Sequence, residues 1–183
     1  GISRYQVLPE KRMFNLLMLR MMPPIVIAIP LVIYYATLDL LDTWHGLIII
    51  YTITSIPYSL WMTKSFIDEV PEEMEQAAQL LGASKLRAFV TIVVPLIRSG
   101  VVATCMFVLI LTWSEYLLAL VMTAAEAQTL PIQLSKFEGA SEGRLYGHQT
   151  SLSVGITIPL IIIGILIHKH LVRGFSFGMI RRQ

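Results

Sequence analysis

Four apolar stretches, at about 16–37, 46–63, 99–122 and 151–167, approach or exceed the length that crosses lipid as a helix. A hydrocarbon core roughly 30 Å thick takes about 20 residues at the helical rise. Within that core every backbone N–H and C=O must be bonded inside the protein, because no water is there to take it. The chain is therefore expected to be all-α and polytopic, one membrane domain over 1–183 with four transmembrane helices. Its composition agrees: 55% of residues are hydrophobic and 14% charged, too few charges for a soluble domain of this length. The single cysteine, Cys105, allows neither an intrachain disulfide nor a cysteine metal cluster. No signal peptide, internal repeat, low-complexity stretch or second domain is read.

Lysine and arginine set the expected orientation, since basic loops are retained on the cytoplasmic side. Arg4, Lys11, Arg12 and Arg20 precede or open the first stretch. Lys64, Lys85, Arg87 and Arg98 lie in the polar insert between the second and third. Lys169, Arg173, Arg181 and Arg182 follow the fourth. Four crossings put these groups on one side and leave only Lys136 and Arg144 on the other. Both ends of the chain and the insert are thus expected to be cytoplasmic.

Prolines are frequent in the apolar stretches: Pro23, Pro24 and Pro30 in the first, Pro57 in the second and Pro159 in the fourth. Each removes a backbone donor and kinks a helix, which lipid tolerates where neighbouring protein or water satisfies the freed carbonyls. They are either ordinary membrane-helix prolines or marks of a path that opens and closes.

The insert, about 68–95, is the most informative segment. Pro71 is placed as a first-turn proline, Glu72 and Glu73 put negative charge at the positive end of a helix, and Gly82 is its natural stop. Met74, Ala77, Ala78 and Leu81 recur at helical spacing, and Ser84 can cap a second short helix carrying Lys85 and Arg87. Such a helix can lie on lipid or dock a partner. Its acidic polar face would be repelled by anionic headgroups, which favours the partner.

The order Gln76-Ala77-Ala78, three residues, Gly82-Ala83, then Ile92-Val93-Val94-Pro95 resembles the Glu-Ala-Ala…Gly…Ile-x-Leu-Pro motif of ABC importer permeases. In that family the motif forms the coupling helix that docks into a groove of the cytoplasmic ATPase subunit. The resemblance assigns ATPase coupling to Glu75, Gln76, Ala77, Ala78, Gly82, Ala83 and Pro95. Gln76 stands where the family usually has Glu, Leu81 where Asp is frequent and Val94 where Leu is common. Glu75 is no replacement for the missing acid, because one residue turns a side chain about 100° round a helix. The resemblance therefore implies docking through Ala77, Ala78 and Gly82 rather than through a salt link.

Trp113-Ser114-Glu115-Tyr116, Thr129-Leu130-Pro131 and the tail Arg173-Gly174-Phe175-Ser176-Phe177-Gly178 are similar to sugar permeases of the maltose-transporter type. This implies a fragment carrying the third to sixth helices of a six-helix type I permease. It also implies a bacterial or archaeal cytoplasmic membrane and, as partners, two ATPase subunits, a second permease subunit and an extracytoplasmic solute-binding protein. ATP and Mg would be held by the ATPases, with no cofactor on this chain, which has no phosphate-cradling glycine loop. A carbohydrate is the implied solute. A polyol, glycerol phosphate or polyamine, or a gradient-driven secondary transporter, is the alternative. No enzymatic constellation and no nucleic-acid partner is read.

Glu115 is the one acid well inside a predicted stretch; an intramembrane carboxylate by default faces a cavity or a partner, and its place nearer the outer end, where water can hydrate it, leaves a purely structural hydrogen-bonding role as the alternative. Trp113 and Tyr116 beside it can stack on a sugar ring or belong to an interfacial aromatic belt. These three are the candidates for the substrate pathway. His168 and His170 flank Lys169, where snorkelling at the headgroups is favoured over metal binding because no further ligand is near.

Overall fold

A computed structural model describes residues 9–21, 23–137 and 146–178, which form helices without strands. In chain order these are α1 (Glu10–Met21), α2 (Pro24–Thr37), α3 (Trp44–Asp68), α4 (Glu72–Leu80) and α5 (Lys85–Trp113). The remainder are α6 (Leu117–Met122), α7 (Leu130–Lys136) and α8 (Tyr146–Gly178). Three of them, α3, α5 and α8 over Tyr146–Ile165, are long and apolar enough to cross a membrane. Arg4, Arg144, Arg181 and Arg182 lie outside the described residues, as do the side chains of Arg20, His168, Lys169, His170 and Arg173.

The first stretch expected to span, 16–37, is not one helix. It is split at Pro23, which is extended (φ −56°, ψ 126°), and α2 restarts with Pro24 in its first turn. A residue before proline is pushed out of the α region, so consecutive prolines interrupt a helix rather than only bending it. The 14 residues of α2 extend about 21 Å, short of a full hydrocarbon core. Pro57 and Pro159, by contrast, sit inside continuous helices.

The third stretch, expected at 99–122, is displaced and broken. The helix starts at Lys85, where Ser84 accepts a hydrogen bond from the Arg87 N–H (3.3 Å), and runs 29 residues to Trp113. The short helix expected after Ser84 is present as its first turn, Lys85–Ala88, and is continuous with the rest of α5. Pro95 does not end it, because the turn Phe89–Val93 is widened to a π-helix in which Val94 N–H bonds the Phe89 carbonyl. The proline ring would crowd the carbonyl four residues before it, and the wider turn makes room. At the other end, the residues after Trp113 leave the helix before α6 begins.

α3 and α5 pack along each other, α8 lies against α5, and α2 packs on α6. Lipid supplies no hydrophobic drive between helices, so the bundle rests on close packing. Two cores carry it. One joins Tyr35 of α2, Leu47 and Ile50 of α3, Leu118, Ala119 and Met122 of α6, and Ile132 of α7. The other joins Val70, Val93 and Ile97, with Phe66, Ile67 and Phe89 against them. Beside this second core Gly100 lets α5 approach α3: a Cβ there would stand 2.2–2.5 Å from the Phe66 ring.

Gly100→Ala is therefore expected to cost about 1–3 kcal/mol through overpacking. Thermal unfolding in detergent should show the loss, and pairing it with Phe66→Leu should recover most of it.

Candidate functional site

At the end of the bundle that carries Lys64, Lys85, Arg87 and Arg98, α4 projects with no buried residue. Its first turn holds Glu72, Glu73 and Glu75 against the helix N-terminus, and its start is set by Pro71, which stands just outside the helix rather than in its first turn. Gly82 ends it with φ +90°, the left-handed region that glycine enters without strain. Gly82 N–H bonds the Gln79 carbonyl (2.9 Å) and Ala83 N–H the Ala78 carbonyl (3.0 Å), a Schellman stop.

This geometry sorts the coupling candidates. Glu73, Gln76, Ala77 and Leu80 are exposed along one face, whereas Glu75 and Ala78 are half-buried on the side turned to the protein. Ala83 is half-buried and Pro95 exposed. The apolar groups offered outward are larger than the alanine pair: Leu80 is 89%, Leu81 90% and Leu86 74% exposed. Leu80 and Leu86 carry no sequence signal that separates them from core leucines, since only their exposure distinguishes them.

The second region lies toward the Trp44 end of α3. Glu115 is not inside a helix, as its place in the stretch 99–122 suggested, but in the break between α5 and α6. Its carboxylate accepts from Leu118 N–H (3.1 Å) and Ala119 N–H (3.3 Å), so it caps the first turn of α6, and Tyr51 hydroxyl approaches it at 3.4 Å. Capping is why the helix breaks there: the carboxylate captures backbone donors that a continuous helix would have used. Trp113 is half-buried, its indole N–H enclosed with no hydrogen-bond partner among the described residues, while Tyr116 is 38% exposed at the surface.

Between α3 and α5 runs an open groove of about 500 Å³, lined by Ile48, Tyr51, Thr52, Ser55, Ile56, Ser59, Leu60, Val108 and Thr112. None of the three pathway candidates lines it; Glu115 joins its upper end through Tyr51. Sequence reasoning missed the groove. The available signal was the four-residue spacing of Tyr51, Ser55 and Ser59 on one helix face.

Also missed was Asp42. It sits in the α2–α3 turn with φ +54°, a conformation Asp tolerates, and its N–H bonds the Met122 carbonyl (2.8 Å). Its carboxylate accepts from the backbone N–H groups of Ala124, Ala125, Glu126 and Ala127 at 2.9–3.2 Å. Those four donors hold its acidity constant well below the ordinary carboxylate range. The clamp ties the α2–α3 turn to the loop between α6 and α7.

These features define a polytopic membrane protein with an exposed helix at its basic end and a largely apolar groove toward the other. The chain belongs to the family of binding-protein-dependent transport system inner membrane components, whose model matches residues 12–177. It is 32% identical to the trehalose transport system permease protein SugB of Mycobacterium tuberculosis, over 94% of this chain and 65% of that protein. To the trehalose/maltose transport system permease protein MalG of Thermococcus litoralis it is 30% identical, over 90% of this chain and 60% of that one. The diacetylchitobiose uptake system permease protein DasC of Streptomyces coelicolor is also 30% identical, with 90% and 60% covered. The chain thus spans about three-fifths to two-thirds of the length of these relatives.

Asp42→Ala is expected to release the segment 124–127, read as faster amide exchange confined to those residues. Because the folded state lowers this acidity, the clamp should be at full strength above the unfolded value of about 3.9 and weaken as pH falls below it. Exchange protection of 124–127, corrected for intrinsic rates, should then be flat from pH 7 to 5 and decline at lower pH.

Proposed function

We propose that this chain is part of the membrane-spanning domain of a permease subunit in an ATP-driven importer of carbohydrate. The observation that carries the reading is α4: a short exposed helix that ends on the outward-facing Leu80 and Leu81 and is stopped by Gly82, in a chain of this family. On the positive-inside argument the end bearing Lys64, Lys85, Arg87 and Arg98 is cytoplasmic, which puts α4 where an ATPase can grip it. The matched relatives named for trehalose, maltose and diacetylchitobiose support a carbohydrate as solute.

The assembly would comprise two ATPase subunits holding ATP and Mg, a second permease subunit and an extracytoplasmic solute-binding protein, in a bacterial or archaeal cytoplasmic membrane. Docking would use the face of Gln76, Ala77, Leu80 and Leu81, with Ala78 and Glu75 holding α4 to its own subunit. Closure of the ATPase dimer would push α4, and α4 leads through Ser84 directly into α5. A conformational equilibrium shifts only through contacts that differ between its states. A stiff helix in a socket supplies such a contact, and α5 carries it along the membrane span.

Two outcomes test this. ATP hydrolysis by the complete complex in vesicles, with its binding protein, should be stimulated by a sugar; stimulation by a non-sugar alone would overturn the solute assignment and leave the class. Gly82→Pro, which cannot adopt a φ of +90° and loses the N–H bonded to Gln79, should uncouple hydrolysis from uptake while the protein stays in the membrane. Leu80→Asp with Leu81→Asp should do the same by spoiling the outer face alone. Coupled uptake at the normal rate in both variants would sink the docking assignment.

A further inference from the structure

The described helices pack as two bodies. At the end opposite α4, α2, the first turns of α3, α6 and α7 share the buried cluster around Leu118, and the Asp42 clamp ties the α2–α3 turn to residues 124–127. The first turn of α8 joins them through His148, whose ring stacks on Phe137 at the end of α7 (6.0 Å between centroids). The other body is built on the Gly100–Phe66 contact and the core of Val70, Val93 and Ile97, with α1 against α3 and α8 against α5.

Four stretches of backbone connect the two, and each is weakened. α1 and α2 part at the extended Pro23. α3 carries Pro57, which has no N–H for the Ile53 carbonyl, and α8 carries Pro159, which has none for that of Gly155. In the turns before both prolines, hydroxyls donate to carbonyls four residues back, a pattern that bends helices. Thr52 bonds Ile48 (2.7 Å) and Ser55 bonds Tyr51 (2.7 Å), while Ser153 bonds Gln149 (2.8 Å) and Thr157 bonds Ser153 (2.8 Å). The three prolines share a depth, each about 20 Å along its helix from Thr37, Trp44 or Tyr146. The fourth connection is the break between α5 and α6. Ser114 (φ −89°, ψ −2°) and Tyr116 (φ −116°, ψ −44°) stay beside the helical region there, so modest torsions re-aim the chain.

We infer that the body opposite α4 is a lid that turns as one piece on these four connections. The packing gives the device; its use in transport rests on the reading above. Proline is common in membrane helices, and one alone would carry nothing. A body turns only if every link to the rest yields, and here each link has lost helical hydrogen bonds, while cluster and clamp hold the lid together. Hinges of this kind are a few residues that absorb the torsional change. α3 is the decisive strut, because it is fixed in the lid at Leu47 and Ile50 and fixed to α5 at Phe66, with Pro57 between.

The experiment measures distances between spin labels in the complete complex, with its ATPases, second permease subunit and binding protein in vesicles, in a Cys105→Ser background. Leu38→Cys with Ser65→Cys spans the two bodies, Leu38→Cys with Leu130→Cys lies within the lid, and Ser65→Cys with Thr91→Cys lies within the other body; all four positions are exposed. Before nucleotide is added, the cross-body distribution should be the broadest of the three. It should then shift when ATP is trapped, while the two within-body distances hold. Pro57→Ala gives Ile53 its donor and should remove most of the breadth and the shift, with thermal stability equal or higher. Pro57→Gly gives the same donor but leaves the backbone soft, and should keep both. A purely structural role for Pro57 would not separate these two variants. Sugar uptake with a fixed cross-body distance would mean that the chain moves as one piece, which overturns the lid and leaves the importer reading. A shift within either body, or a cross-body distribution as narrow as the others, would also overturn the lid. If the ATPases do not assemble with the chain, the importer reading fails, and the breadth in Pro57→Ala against Pro57→Gly still decides the hinge.

Discussion

The contact between α3 and α5 is what the other features depend on. Hydrocarbon does not press helices together, so their association needs a fit close enough for dispersion forces to act. Gly100 provides it by leaving room for the Phe66 ring, and Thr104 one turn further is buried with its hydroxyl returned to the Gly100 carbonyl (2.9 Å). Val93, fully buried, and Ile97 continue the seam toward α4. Past Thr104 they still touch where the Tyr58 and Phe107 rings meet edge to face, 5.6 Å between centroids, and the open groove lies alongside, between Ser55 and Ser59 of α3 and Val108 and Thr112 of α5. One seam therefore sets the spacing of the groove walls and the base on which α4 stands.

The carboxylates at the opposite end act as structural acceptors. Asp42 gathers four backbone N–H groups of the α6–α7 loop, and Glu115 takes two from the start of α6. Near a membrane interface, where chain reversals leave donors that helices would otherwise satisfy, an acid can gather several donors at once. The result is an end in which α2, α3, α6 and α7 are tied by one buried cluster and one clamp.

The widened turn at Phe89–Val93 lies in α5 between α4 and the Gly100 contact. It keeps α5 continuous past Pro95, so a displacement of α4 enters a single 29-residue helix rather than a hinge. Hydropathy assigns this segment to the polar insert and starts the span at 99. The helix nonetheless reaches back to Lys85 because Ser84 caps it and the π turn accommodates the proline.

Local chemistry made much of this legible in the sequence. Apolar length predicted helices near α3 and α8, although both extend beyond the 46–63 and 151–167 expected. The acids after Pro71, Gly82 and Ser84 predicted where α4 starts and stops and where the next helix begins, because capping and left-handed glycine are decided within a few residues. The order around Gln76, Ala77, Ala78 and Gly82 sufficed to suggest the family. What tertiary structure alone decided depends on groups far apart in the chain. Phe66 had to meet Gly100, Asp42 had to meet 124–127, and Tyr51 had to meet Glu115 before core, clamp and groove existed. Glu115 shows the limit most plainly: with no proline or glycine beside it, nothing in its neighbourhood announces a break. Only the donors it captures turn an intramembrane acid into a helix cap, and only packing determines that Leu80 and Leu81 face outward while Leu118 is fully buried.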